Sequence, residues 1–216
     1  MNQHPRTMRM KNVFLTLSLL AICNAGADAQ SMREIMNGSA KLTWIGVDYS
    51  QLKMNPRYEF AELEKQGSTY YQRWNDLFQS ESSKFDVCSP LKAGNCHLDV
   101  SFIQPINEAA NVNEAFDRKE LLAKEDIPGM VAKYPTTEKD GAGVVLIATE
   151  YDKIKEAGEY FIVFFKMSDH EILHVEPMTG KAGGFGLRNY WAATVTNILK
   201  EIDKKKRKEW TNRFVG

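Results

Sequence analysis

Apolar and polar residues alternate along Lys41–Tyr49, and this period of two predicts the first strand. Two later segments are apolar almost without interruption, which is typical of strands in the middle of a sheet covered on both faces. These segments are Val144–Ala148 and Tyr160–Phe165. Glu171–Glu176 is more polar and predicts a strand nearer the edge, which we expect Pro177 to end.

Other segments have the spacing of helices or of shorter strands. Apolar residues recur every three or four positions from Phe60 to Phe78, which predicts a long helix that begins at Asn55-Pro56 and is weakened at Gly67-Ser68. The same spacing predicts a C-terminal amphipathic helix over residues 187–204. We further expect extended chain at 85–88 and 97–106, and helices at 111–124 and 127–134.

This order of elements predicts an α/β (α+β) sandwich, in which helices pack on a mixed sheet. The last three strands are joined by connections too short for crossovers, so a purely parallel sheet is excluded. We expect a flexible lead-in at residues 30–40, a single domain at 41–204, and a basic and aromatic C-terminal tail at 205–216.

The N-terminus is typical of a secretory signal peptide. Basic residues precede the short apolar run Val13–Ile22, and Ala27-Asp28-Ala29 matches a cleavage site. We therefore expect residues 1–29 to be removed and the protein to be exported, either to the periplasm or out of the cell. A lipid anchor on Cys23 is the alternative, and it is disfavoured because bulky Ile22 stands where lipoprotein signals carry a small residue.

Cleavage changes both the charge and the number of cysteines. It removes three basic residues and one acidic residue from a chain of net charge +0, which leaves −2. This balance gives no general attraction to nucleic acid, so we expect no nucleic-acid partner. Cys88 and Cys96 remain, and in an oxidising compartment they predict a disulfide that closes a short loop. A redox-active pair would more typically have the spacing C-x-x-C.

Residues 180–188 are rich in glycine and lie between a predicted strand and a predicted helix. Such a loop can direct its amides at an anion, although glycines at this position more often allow tight turns with positive φ. The segment lacks the order of a phosphate-binding P-loop and of a dinucleotide-binding loop. If it binds a small molecule or an anion, the candidate residues are Lys181, Gly183, Gly184, Gly186 and Arg188.

No catalytic motif stands out, and we expect no catalytic residue, metal or cofactor. His170 and His174 are four residues apart, but in an extended segment this spacing is about 13 Å, too far for two ligands of one zinc ion. Asp48 and Glu150, near the ends of two predicted strands, are the best candidates for a pair of catalytic carboxylates. Solvated strand ends are the favoured explanation of both carboxylates.

The C-terminal region also contains a run of basic residues. Cations suit the last turn of a helix, where they oppose the negative end of the helix dipole. The functional alternative is a peripheral contact with an anionic surface such as lipid headgroups. The run consists of Lys204, Lys205, Lys206, Arg207 and Lys208.

The segment from Val144 to Leu199, and above all His174–Ala192, resembles a family of uncharacterised secreted proteins of Bacteroidetes. The order of its elements is also similar to the α/β domain of periplasmic curli-assembly and penicillin-binding-protein-activator lipoproteins, in which two late strands lead into a C-terminal helix. Cys23 departs from the lipidated cysteine of those lipoproteins. The resemblance implies a role in assembly or partner binding, and it transfers no catalytic residue.

Three functions follow from these features. The first is a non-enzymatic cell-envelope protein that binds another protein, with Tyr190 and Trp210 as candidate interface aromatics. The second is a small-molecule or anion-binding module that uses the glycine-rich loop. The third is a hydrolase whose active site is assembled from scattered residues.

Overall fold

A computed structural model describes residues 32–117, 120–135 and 140–216. The predicted signal peptide lies outside these described residues. Five strands form a sheet in the order β3-β1-β4-β5-β6, and the short β2 pairs with β4 beyond the end of β1. The pairs among β1 to β4 are parallel, and β4-β5 and β5-β6 are antiparallel. The strands are β1 (Lys41–Asp48), β2 (Lys53–Asn55), β3 (Asn95–Leu98), β4 (Ala142–Asp152), β5 (Ala157–Lys166) and β6 (Ile172–Lys181).

Helices pack on both faces of this sheet. The longer ones, α2 and α6, lie on one face, and short helical segments cover the other. The helices are α1 (Ala61–Gln66), α2 (Thr69–Ser80), α3 (Cys88–Leu91), α4 (Gln104–Glu108), α5 (Ile127–Val131), α6 (Leu187–Glu201) and α7 (Arg207–Phe214). Turns of 3-10 helix lie at Arg57–Phe60, Val100–Phe102, Val112–Phe116 and Lys124–Asp126, and a π-helical turn at Ile202–Lys206 joins α6 to α7.

The two faces of β4 show why its sequence is apolar throughout. Alternate side chains point to opposite faces of a strand. Val144 and Leu146 join the larger core cluster, which packs against α2 and α6, whereas Val145 and Ile147 join the smaller cluster beneath α5. All four are buried because both faces are covered, so the prediction of a mixed α/β sandwich with a C-terminal helix is confirmed.

The edge strand β6 is longer than predicted. Pro177 was expected to end it, but Pro177 lies within the strand, opposite Phe161 of β5, and pairing continues to Lys181. An edge strand tolerates proline because a missing N–H that faces away from the sheet breaks no ladder hydrogen bond. The predicted end at Pro177 was therefore wrong, whereas the edge position of this strand was correct.

The region between α2 and β4 differs most from the prediction. The extended chain expected at 97–106 is strand only to Leu98, after which Asp99 caps a 3-10 turn by accepting a hydrogen bond from Ser101 N–H. The segment expected to be extended at 85–88 forms no strand, and its last residue, Cys88, begins the helix α3. Of the helix expected at 111–124, the described residues contain the 3-10 turn Val112–Phe116, and residues 118–119 lie outside the described part. In this region the hydrogen bonds of short polar caps and turns, rather than the apolar pattern, therefore determine the backbone conformation.

Both predicted ends of the domain are better packed than expected. Residues 32–37 are helical, and Met32, Ile35 and Met36 are buried in the core, so this part of the expected lead-in belongs to the domain. At the other end, the expected tail continues α6 through the π-helical turn into α7. Trp210 fixes α7 to the sheet because its ring is buried against Phe164.

Two further observations concern the cysteines and the membrane. Cys88 and Cys96 form a disulfide of 2.00 Å, as predicted, and it joins α3 to the edge strand β3. The bond is compatible with an exported protein. In the part of the chain that the structure describes, no helix is long and apolar enough to cross a membrane.

Candidate functional site

The carboxyl end of β1 is where a doubly wound sheet would bind a ligand. The chain leaves β1 across one face of the sheet and leaves β3 across the other, and open α/β sheets bind ligands where such connections diverge. Here the position is filled by Asn75 from one face and Asn107 from the other. Both side-chain amides donate to the carbonyl of Val47, and they accept from the N–H groups of Val47 and Tyr49 at 2.8 and 2.7 Å.

The two carboxylates considered as candidates for a catalytic pair have different partners. Asp48 is buried, and it accepts hydrogen bonds of 2.8 Å from the Tyr134 hydroxyl and from Ser50 N–H. Burial raises the pKa of Asp48, although these hydrogen bonds oppose the shift. Glu150 is also buried and forms an ion pair of 3.1 Å with Lys155. Both carboxylates are therefore engaged inside the protein rather than presented to a substrate.

The two histidines lie on opposite faces of the sheet. His170 stacks on Phe165 and its Nε2 contacts the carbonyl of Tyr134, whereas the ring of His174 packs near Phe164. Phe164 and Phe165 are adjacent in β5 and belong to different core clusters. Within the described ranges, no group of three or more His, Cys, Asp or Glu side chains could hold a metal ion.

A surface recess of about 310 Å³ lies beside the glycine-rich loop. Three parts of the chain form it: the 3-10 turn before α1, the turn between β4 and β5, and the loop that leads from β6 into α6. The backbone holds two of them together, since Ala182 N–H donates to the Glu156 carbonyl at 2.7 Å. The residues that line the recess are Glu59, Lys153, Gly184, Gly186, Leu187, Tyr190 and Trp191.

The recess contains one charge of each sign. The Lys153 ammonium lies 3.3 Å from the centroid of the Tyr190 ring, which is a cation–π contact. Glu59 lies in the first turn of the 3-10 helix Arg57–Phe60. Among the residues that the structure describes, neither Lys153 nor Glu59 has an ion-pair partner. Both charges can therefore pair with a group that another molecule supplies.

Exposed apolar residues are the sequence neighbours of residues that line the same recess. Tyr58 is 75% exposed, Ile154 76% and Phe185 95%. Each is adjacent in sequence to a lining residue: Tyr58 to Glu59, Ile154 to Lys153, and Phe185 to two glycines. We call these three side chains the apolar rim. Leu121 completes the set of large apolar residues exposed in the described ranges, and it is adjacent to no lining residue.

The structure separates the residues that the sequence suggested for anion binding. Gly184 and Gly186 line the recess, with φ of +104° and +78°. The N–H of Gly183 is already used, because it donates to the Tyr190 carbonyl at 3.0 Å. Lys181 is exposed at the end of β6, and Arg188 lies in a different depression beside Arg73 and Asp76. The cation in the recess is Lys153, which sequence reasoning missed.

The candidate interface aromatics have different environments. Tyr190 forms a wall of the recess, whereas Trp210 is buried and donates its indole N–H to Glu176. Trp210 therefore cannot contact a partner, and this candidate was wrong. A large aromatic residue near a chain end is not necessarily exposed, since α7 places it against Phe164 and His174.

The basic run is divided between internal contacts and the surface. Lys206 forms an ion pair with Glu176, and the Arg207 guanidinium donates to the carbonyls of Leu91 and Met36, both at 3.1 Å. Three members of the run remain exposed and could meet an anionic surface: Lys204, Lys205 and Lys208.

Glu176 is the centre of a polar cluster between β6 and α7. Its carboxylate accepts hydrogen bonds from Lys206, Trp210 and His174, the last at 3.1 Å. Burial lowers the pKa of His174, although the neighbouring carboxylate opposes this shift. The imidazole is therefore neutral at pH 7 and donates through its Nε2–H. This cluster positions α7 and lies away from the residues of the recess.

The described residues thus define a mixed α/β domain with a recess that two unpaired charges line and that the apolar rim adjoins in sequence. Comparisons of the chain with protein-family models, with curated proteins and with solved structures find no match.

The sequence contains a weak signal for the apolar rim. Ile154 stands alone in the charged turn Lys153–Glu156, and Phe185 stands between two glycines. A large apolar residue in a turn of this kind has no neighbour in sequence to pack against, so exposure is expected. Sequence does not show that the two turns meet, because that depends on the pairing of β4, β5 and β6.

Proposed function

We propose that this chain is a non-enzymatic, exported protein that binds another protein through the apolar rim. The observation that carries the proposal is that Tyr58, Ile154 and Phe185 are highly exposed and that each is next in sequence to a residue lining one recess. Single exposed apolar residues are common on soluble proteins, whereas an exposed apolar group with a polar border is typical of an interaction site. Lys153 and Glu59 supply charged groups next to these residues, inside the recess.

The size of the apolar rim fits a reversible contact. Covering a side chain such as phenylalanine contributes about 1.5–3 kcal/mol, so three such residues contribute about 5–8 kcal/mol. Association costs about 4 kcal/mol or more in lost freedom, and polar contacts must add to the difference. The apolar rim alone therefore supports weak, millimolar binding, and the other contacts must add about 4 kcal/mol or more to reach the micromolar range of a transient complex.

The setting of the protein supports an envelope role. The disulfide suits an oxidising compartment, and the signal-like N-terminus suggests export to the periplasm or beyond. The resemblance to secreted proteins of Bacteroidetes and to assembly lipoproteins suggests that the partner belongs to an envelope assembly. The filled carboxyl end of β1 also favours binding over catalysis, because its polar groups are all used internally.

Site-specific photo-crosslinking in the producing cells tests this proposal. The photoreactive residue p-benzoylphenylalanine replaces Phe185 in one chain and Asn212, an exposed residue of α7, in the control. We expect a discrete protein adduct from position 185 only, which mass spectrometry then identifies. The adduct should disappear when Ile154→Ser is added and persist when Leu121→Ser is added. No adduct at 185, or equal adducts at both positions, would refute a protein-binding rim.

Anion binding at the same recess is the second candidate, and the unpaired Lys153 ammonium is the observation in its favour. Glu59 opposes it, because its carboxylate lines the same recess. Trp191 also lines the recess, so its fluorescence can report an anion directly. A change that saturates with millimolar inorganic phosphate, and that is absent in Lys153→Gln, would favour the anion-binding function over the protein-binding one.

A further inference from the structure

We propose that the partner that fits the recess is a second copy of this chain, with Phe185 of each copy inserted into the recess of the other. This inference rests on the proposed function and names its partner. A two-fold interface uses the same patch on both subunits, so the patch must be complementary to itself. The recess and its apolar rim meet this condition in shape, in charge and in area.

The shape condition is met because a projection and a hollow lie side by side. Gly184 and Gly186 line the recess, and Phe185 stands between them, 95% exposed. Both glycines have positive φ, a conformation that lets the chain turn sharply and present the side chain between them outwards. The hollow of about 310 Å³ can hold a phenyl ring, since an engineered apolar cavity of about 150 Å³ binds benzene.

The charge condition is met because the recess contains Lys153 and Glu59 together. Neither has an ion-pair partner within the described part of its own chain. Across a two-fold axis, Lys153 of one copy would face Glu59 of the other, and the same pair would form twice. A partner of a single charge sign would instead satisfy one of these residues and repel the other.

The area condition sets the expected strength. Tyr58, Ile154 and Phe185 are each at least three-quarters exposed. An aromatic residue buries about 150–250 Å², so the two apolar rims together contribute roughly 800–1,000 Å². Polar surface around them would bring the interface to about 1,200 Å², the lower end of specific interfaces. We therefore expect a dimer that dissociates in the micromolar range.

Analytical ultracentrifugation of the full chain from 1 to 200 µM tests the inference. We expect a monomer–dimer equilibrium whose dissociation constant rises at least about tenfold in Phe185→Ser and is unchanged in Leu121→Ser. Thermal unfolding of each variant checks that it is folded. A monomer at every concentration overturns the inference, and so does a dimer that Phe185→Ser leaves intact.

Charge reversal supplies an independent test of the same geometry. Lys153→Glu and Glu59→Lys should each weaken the dimer, because each places like charges opposite one another. The double variant should restore it, since the exchange keeps the charges complementary. Absence of this rescue overturns the proposed pairing.

The cross-linking experiment separates the two proposals. If position 185 cross-links to a different protein and the chain is a monomer in the centrifuge, the protein-binding function stands. The inference that the partner is a second copy is then refuted. A monomer with no adduct refutes both.

Discussion

Replacing Glu176 by glutamine should loosen α7 from the sheet in a way that depends on pH. Glu176 lies on the edge strand β6, and its carboxylate accepts hydrogen bonds from Lys206 and Trp210, on the π-helical turn and on α7, and from His174. Glutamine keeps the shape of the side chain and removes its charge. The bonds from the neutral donors Trp210 and His174 become ordinary ones, which are about half as strong, and Lys206 loses its ion pair with Glu176.

The pKa of Glu176 sets the magnitude. Burial raises this pKa, but the hydrogen bonds from Lys206, Trp210 and His174 lower it more, so that it falls from 4.5 to about 2. Such a shift corresponds to at most about 3 kcal/mol of stability when the group is ionised. The Glu176 side chain is 21% exposed, and solvent screening reduces the expected contribution to about 1–2 kcal/mol.

The lowered pKa also fixes the direction of the pH dependence. A carboxylate that ionises more readily in the folded state stabilises the protein above its unfolded pKa, here 4.5, and this contribution is lost as the pH falls towards about 2. Wild type should therefore exceed Glu176→Gln by about 1–2 kcal/mol at pH 7, and the difference should vanish near pH 2. His174, whose pKa burial lowers, adds a loss of stability below pH 6.5 in the wild type.

Urea denaturation from pH 7 to pH 2 measures this difference, with Trp210 fluorescence as one of the probes. Glu209→Gln is the matched control, because Glu209 also lies near Lys206, at 3.6 Å, but is 48% exposed. The control should change the free energy of unfolding by less than about 0.5 kcal/mol. A difference between wild type and Glu176→Gln that is the same at pH 7 and pH 2.5 would refute the reasoning, as would a control variant with an equally large effect.

Two further predictions concern the disulfide and the filled end of β1. The double variant Cys88→Ser/Cys96→Ser should lose about 2–3 kcal/mol, because the unfolded chain regains the freedom of the loop. Urea denaturation without reductant checks this, and equal midpoints, or two free thiols in the wild type, would contradict it. Asn107→Ala should lose about 1–3 kcal/mol, because the buried Tyr49 N–H loses its acceptor and the Val47 carbonyl loses one of its two amide donors. Gln104→Ala, at an exposed position of the same helix, should change stability little, and an equal effect of both substitutions would count against the role of Asn107.

The sequence predicts the middle of the sheet well, because a strand that is buried on both faces has an almost uninterrupted run of apolar residues. The apolar runs at 144–148 and 160–165 lie within β4 and β5. The break predicted at Gly67-Ser68 is also confirmed, since Gly67 has φ of +66° and separates α1 from α2. In each case a property of neighbouring residues decides the local conformation, so no distant contact has to be known.

The prediction fails where distant contacts decide the conformation. Leu98, Val100 and Phe102 alternate with polar residues as in a strand, but of these three only Leu98 belongs to β3. Val100 and Phe102 instead fill the smaller core cluster from a 3-10 turn. That turn brings α4 and its Asn107 to the end of β1. The alternation reflects burial, and a buried turn leaves the same pattern as a buried strand.

The same limit applies to the recess. The sequence suggested the glycine-rich loop as a ligand site, but it paired that loop with Lys181 and Arg188, its neighbours in the chain. The structure pairs it with Lys153, about 30 residues away, because β5 and β6 return the chain to the turn where β4 ends. A lysine on a distant turn has no periodic pattern that would connect it to a glycine loop. Its contact with Tyr190 is therefore visible only in the folded protein.

The position of the recess is explained by which part of the carboxyl edge of the sheet is filled by side chains. Parallel strands present their carboxyl ends at one edge of a sheet, and that edge is where α/β proteins bind ligands. In this chain Asn75 and Asn107 fill the edge beside β1, and Gly46 belongs to the same arrangement, since a Cβ there would lie 2.5 Å from Asn75 Oδ1. Among the described residues, the recess lies further along, where β4 ends and the turn at Lys153 begins. The proposal that another protein binds at this part of the edge rests on the exposed apolar residues that adjoin the recess in sequence, Phe185 above all.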